Sequence, residues 1–151
     1  MEGAILWWRI RTLWAVLVIP PLLHLVPVHR LAARLGRVRS SAPPFPLERV
    51  VDWVDILQRR MPSPWRFTCL KRATVLYALF RHAGISVDLC VGVRRDTDGT
   101  LAAHAWLLKE DSPYLEPLGN SIDTFQLIAR FPEGPNAAEG STSAKGLNPS
   151  A

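Results

Sequence analysis

The chain has 151 residues, nearly half of them apolar, six tryptophans and a net charge of +5. That is enough for one domain around one core. Two cysteines with no Cys-x-x-Cys pair exclude a disulfide scaffold and point to a reduced, cytoplasmic setting, with a Cys69–Cys90 bond as the alternative.

The charge is uneven. Residues 1–40 hold six arginines against one acid, Glu2, and the remainder is close to neutral. A basic, aromatic N-terminal segment fits a membrane surface or an acidic peptide or protein. It does not fit nucleic acid, because the basic residues form no stripe with interleaved aromatics and no nucleic-acid motif is present. Leu13 to Val28 is apolar apart from His24, but Pro20, Pro21 and Pro27 interrupt it. A spanning helix needs roughly 20 apolar residues, so this run reads as too short and broken. Arginines follow it, and no small-residue cleavage site sits behind it as in a signal peptide. The expectation is two amphipathic helices, 3–19 and 22–36, that cover the core or touch a membrane, with Gly36 as a helix stop.

Ser40 to Pro46 reads as an extended, proline-rich linker. Leu47, Val50, Val51, Val54 and Leu57 recur at helical spacing and predict a helix over 47–60, broken by Pro62 and Pro64. Thr68 is an N-cap for the next helix, 69–83, whose apolar stripe is Leu70, Ala73, Leu76, Tyr77 and Phe80 and whose stop is Gly84. The period then changes to two: Val87, Leu89, Val91 and Val93 share one face of a strand over 87–94. A turn at Asp96–Gly99 leads to a strand over 101–108, and a short third strand covers 113–117. Residues from 134 onward read as a disordered tail. The expected division is a helical segment 1–40, a domain 41–133 and the tail 134–151.

Cys69 stands at the first position of its helix. There the helix dipole and the unpaired first-turn N–H groups favour a thiolate and supply donors for an oxyanion, with Lys71 and Arg72 adding positive charge. The competing reading is a small buried hydrophobe. A thiolate nucleophile needs a histidine base. His82 lies at the far end of the same helix and cannot reach, whereas His104 sits mid-strand between Ala103 and Ala105, facing the same way as Ala102, Trp106 and Leu108. A core histidine is its competing reading. If the loop after this strand spans Lys109–Asp111 or Leu108–Ser112, Glu116 lies directly across from His104 and can orient it; a two-residue turn shifts the pairing by one, and Asp111 and Asp123 are the competitors. A zinc site of Cys69, Cys90 and His104 matches no ligand spacing.

The set Pro64-Trp65-Arg66-x-x-Cys69-Leu70, then Leu76, Leu79 and Gly84, then Val91-Gly92-Val93, then His104-Ala105-Trp106 resembles the transglutaminase-like cysteine peptidases of lasso-peptide biosynthesis. The likeness covers about residues 47–130. It implies an α+β, papain-like fold in which a nucleophile helix packs on a small antiparallel sheet, preceded by the N-terminal helices. It implies Cys69 as nucleophile, His104 as base and Glu116 as the acid, where the family usually has aspartate. Trp65, Arg66 and Trp106 become candidate substrate-binding residues. No glutamine stands shortly before Cys69 to complete an oxyanion hole, which leaves Trp65 or Arg66 as substitutes.

The implied activity is removal of the leader from a ribosomally made precursor peptide, without a cofactor. A separate leader-recognition protein and an ATP-dependent cyclase are the implied partners, since the chain is too short to carry a recognition domain of its own. Two other readings stay open. The same site can pass its acyl group to an amine, or the fold can be a non-catalytic binding or membrane-associated module with the basic N-terminus as its working surface.

Overall fold

The computed structural model describes residues 1–36, 42–63, 65–66, 68–116 and 122–132. Its elements run α1 (Glu2–Leu25), α2 (Val28–Gly36), α3 (Leu47–Arg60), α4 (Cys69–His82), β1 (Asp88–Arg95), β2 (Leu101–Lys109), β3 (Ser112–Tyr114), a 3₁₀ turn (Ile122–Thr124) and β4 (Gln126–Phe131). The strands form an antiparallel sheet of order β3-β2-β1-β4, with the helices against one face. The fold is α+β, as expected. The proposed tail, and the 37–41 stretch where the first two segments meet, lie outside the described residues.

The helical stripes pack as their periodicity requires. Val50 and Val54 of α3, Leu76, Tyr77 and Phe80 of α4, and Leu89, Ala105 and Leu107 of the sheet form one core with Trp8, Val16 and Ile19 of α1. α4 is the central element, and both its ends are determined locally. The Thr68 hydroxyl accepts from the Lys71 N–H at 3.3 Å. At the other end Gly84 takes φ +79°, Ile85 N–H reaches the Phe80 carbonyl and Gly84 N–H reaches that of Arg81. This is a Schellman stop, which favours glycine at its left-handed position.

The N-terminus departs from expectation. In place of two helices meeting near residue 20, α1 runs unbroken through Pro20 and Pro21 to Leu25. It is therefore long and apolar enough to cross a membrane by length and composition, although Trp8, Thr12, Val16, Ile19 and Pro20 are buried in the fold. It is also not amphipathic, because apolar side chains lie on its outward face as well. Of the two N-terminal helices only the shorter, α2, separates polar from apolar sides.

A proline removes the N–H that would bond the carbonyl four residues earlier. Pro21 thus frees the carbonyl of Leu17, and the indole N–H of Trp65 donates to that oxygen at 2.8 Å. The proline-rich stretch before α3 is docked too: Trp8 Nε1 donates to the Pro43 and Pro44 carbonyls at 3.2 and 3.1 Å, and the Trp8 ring meets Phe45 edge-on. Trp65→Phe keeps a ring but loses the donor. Unfolding free energy should drop by about 1 kcal/mol, read as a lower urea midpoint at unchanged m-value. An unchanged midpoint would mean that the Leu17 carbonyl does not depend on Trp65.

Candidate active site

Cys69 opens α4, with Thr68 as the cap. Its N–H and that of Leu70 precede the first intrahelical bond, so both point out of the helix end. The end abuts β2 beyond the stretch that β3 pairs, which is only Leu107–Lys109. The Cys69 sulfur lies 4.0 Å from the Ala103 carbonyl, next to His104. Cys69, His104, Trp106 and Glu116 line one cavity of about 290 Å³, with Arg59, Arg72 and Tyr114 also at its wall. In this conformation the thiol's partner is the Ala103 carbonyl and not the imidazole, so attack requires the sulfur to turn from that oxygen toward the ring.

His104 Nε2 hydrogen-bonds the Glu116 carboxylate. The two side chains are only 13% and 12% exposed. With Nε2 engaged, Nδ1 is the nitrogen that can serve the thiol. The imidazole also stacks on Trp106 at 5.9 Å and 18° and meets Phe125 at 5.4 Å. Trp106 has room because Gly92 lies beneath it; a Cβ there would stand 2.7 Å from the indole. Phe125 is held in turn by the Arg94 guanidinium, 4.6 Å from its centroid, and Arg94 bonds Asp96 and Thr124. Phe125 carries no sequence signal as a site residue, since no spacing ties it to His104.

The hairpin register differs from the one that suggested Glu116. Glu110 and Asp111 both take positive φ, 51° and 61°, so the turn has two residues and Lys109 pairs Ser112. Continued, this register would set Ala105, not His104, opposite Glu116. The contact forms because β3 stops at Tyr114 and Leu115 takes φ 56°, which turns the chain out of the sheet. A left-handed leucine is costly, about 1–3 kcal/mol, and needs an external hold. Arg72 supplies one: its Nη1 donates to the Leu115 carbonyl at 3.2 Å, while Nε and Nη2 grip Asp55 at 2.6 and 3.3 Å. Arg72 stands one helical turn after Cys69, so the nucleophile helix itself anchors the segment bearing Glu116. The i, i+3 spacing to Cys69 is the signal in the sequence for this role, which goes beyond that of a nearby positive charge.

The competing residues are placed elsewhere. Asp111 bonds Arg130 at 2.6 Å with its side chain 81% exposed, and Arg130 also holds Asp88. Asp123 is exposed on the 3₁₀ turn. Trp65 and Arg66 do not line the cavity; the Trp65 N–H is committed to Leu17, which rules it out as the oxyanion donor in this conformation. Both cysteines are free thiols, and among the described residues no group of three metal-ligating side chains is gathered.

The two thiols differ sharply. Cys90 is fully buried, and burial pushes its pKa up to about 12. Cys69 is partly exposed at a helix N-terminus. Iodoacetamide at neutral pH should label Cys69 at least about 100-fold faster than Cys90 in the native protein; comparable rates by peptide mapping would refute an activated thiol.

A cysteine at a helix N-terminus, with a carboxylate-bound histidine on a neighbouring strand, defines the thiol acyl-transfer class of site. The family model of the Transglutaminase-like superfamily matches residues 9–130, from within α1 to β4. The chain belongs to this superfamily, whose activities are of the cysteine peptidase and acyltransferase type. No curated protein and no solved structure gives a significant match.

Proposed function

We propose that this protein is a cysteine peptidase that removes the leader from a ribosomally made precursor peptide, as in lasso-peptide maturation. The observation that carries the reading is the convergence of Cys69, at the start of α4, and the His104–Glu116 pair on one open cavity. The restriction to leader peptides rests on the motif set from Trp65 to Trp106.

The Glu116 carboxylate accepts from Nε2–H and fixes the imidazole, so that Nδ1 takes the Cys69 proton. The thiolate attacks the last leader carbonyl, and the N–H groups of Cys69 and Leu70 hold the oxyanion. Imidazolium returns its proton to the core peptide's amine as the C–N bond breaks. The leader stays on sulfur as a thioester. Water, deprotonated by His104, releases the leader acid and regenerates the thiol. These steps use no cofactor. Trp106 forms part of the substrate wall, and Arg66 lies outside the cavity on the segment leading to it. A separate leader-recognition protein would present the precursor, and an ATP-dependent cyclase would consume the freed amine, in a cytoplasmic setting.

The test is incubation of the full chain with synthetic precursor and its recognition protein, quenched with acid. A leader-sized thioester on Cys69 by mass spectrometry, with free core peptide accumulating, is the expected result. Transfer of the leader to an added amine, with no hydrolysis, would replace the peptidase by an acyltransferase. No adduct and no product would leave the binding-module reading.

A further inference from the structure

We propose that the outward face of α1 docks this protein on an anionic membrane surface as a peripheral, non-spanning helix. The inference is independent of the peptidase reading. Leu6, Ile10 and Trp14 are 58, 52 and 62% exposed, and Leu13, Leu17 and Val18 are exposed beside them. Successive residues of a helix turn by about 100°. That places Ile10, Trp14 and Leu17 along the middle of the face opposite Trp8, Val16 and Ile19, with Arg9 on one border and Arg11 on the other. A contiguous apolar surface of this kind marks a contact surface.

The charges select the occupant. Arg9 and Arg11 are exposed at the edges of the strip, and Glu2 is the only acid on α1 or α2, while α2 adds exposed Arg30 and Arg34. Arg9 lies over the Trp53 ring at 5.8 Å and Arg11 reaches His82 Nδ1 at 3.4 Å, so both stems are braced against the fold. Apolar residues between flanking arginines, with tryptophan at the centre, suit insertion at the headgroup boundary of anionic lipid. The strip is also the outward side of a single helix. Beside it, Trp14, Ala15, Val18 and Ile19 form one wall of a crevice of about 370 Å³ between α1, α2 and α4, closed by Leu35, Ala78 and Leu79 and with Arg11 and His82 at its polar side. An apolar crevice next to a guanidinium fits an acyl chain whose headgroup is negative. Spanning is excluded in this fold because the inner stripe of α1 is packed in the core.

The experiment is sedimentation of the full chain with vesicles of phosphatidylcholine alone or with one quarter phosphatidylglycerol, at 0.05 and 0.3 M salt. Binding at least tenfold stronger to the anionic vesicles, and weakened by salt, is expected. Ile10→Glu with Leu17→Glu should reduce it at least tenfold with an unchanged circular dichroism spectrum. In the unaltered protein, brominated lipid should quench tryptophan emission, and Trp7→Phe with Trp14→Phe, the two exposed indoles of α1, should remove most of that quenching. No anionic preference, or quenching that survives the double Trp7/Trp14 variant, overturns the proposal. So does a dimer in solution that the Ile10/Leu17 variant dissolves, which would give the face to a second copy. Cleavage of a soluble peptide should be the same in that variant, which separates this test from that of the peptidase reading.

Discussion

Cys69→Ala should lower leader cleavage by at least about 10³-fold. Among the described residues that line the cavity no other side chain can replace the sulfur: besides the His104 imidazole they offer two guanidiniums, a phenol, an indole, a carboxylate already on His104, and apolar surface. His104→Ala should cost about as much, because the thiol then has no imidazole to take its proton among the described residues of the cavity. The double variant should be no worse than the worse single one, since residues acting as one unit are not additive. Cys69 is only partly buried at a helix start, so the change in stability should stay within about 1 kcal/mol. Single-turnover cleavage and a denaturant melt on the same samples separate the two effects. Cleavage by Cys69→Ala within tenfold of the native rate would end thiol acyl transfer as the mechanism.

The second large effect is expected at Arg72, which touches neither the thiol nor the imidazole by any hydrogen bond. Its three donor contacts go to Asp55 and to the Leu115 carbonyl. Arg72→Ala releases the turn that brings Glu116 to His104, and a misplacement of about 1 Å at a catalytic group can cost 10²-fold. The loss should fall on kcat with KM nearly unchanged, as the imidazole loses the carboxylate that orients it. Arg72→Lys should rescue little, because one ammonium cannot span a carboxylate and a carbonyl as the planar fork does. Asp55→Asn tests the other half: it weakens the grip on Arg72 while leaving Glu116 intact, and a smaller loss of the same kind is expected. An Arg72→Ala enzyme with a native kcat and raised KM alone would make Arg72 a substrate contact instead.

The ease of reading α3 and α4 and the difficulty of reading the hairpin have different physical origins. Helical stripes, the Thr68 cap and the Gly84 stop are local properties of a few adjacent residues, and the structure keeps them within a residue or two. The β2–β3 register depends on Glu110 and Asp111 both entering left-handed backbone, which no turn glycine announced. Leu115, also left-handed, then returns Glu116 to His104, so a pairing argued from the wrong register reaches the right contact. β4 has no legible pattern: Gln126–Phe131 carries exposed Leu127 and Ile128 in succession and shows no alternation. The proline pair in α1 misled for a further reason. Proline disrupts a helix by stranding a carbonyl, and here an indole distant in sequence takes up the one that Pro21 strands. Phe125 and Arg72 act at the site through tertiary contacts that one-dimensional spacing does not record.

That indole also has a mechanical meaning. Trp65 lies on the short segment leading into the nucleophile, and its far end is fastened to the backbone of α1. The long helix and the approach to the sulfur are therefore tied through this bond as well as through the packing of α1 on α4. A shift of α1 along its axis would load that tie, four residues ahead of the reacting cysteine.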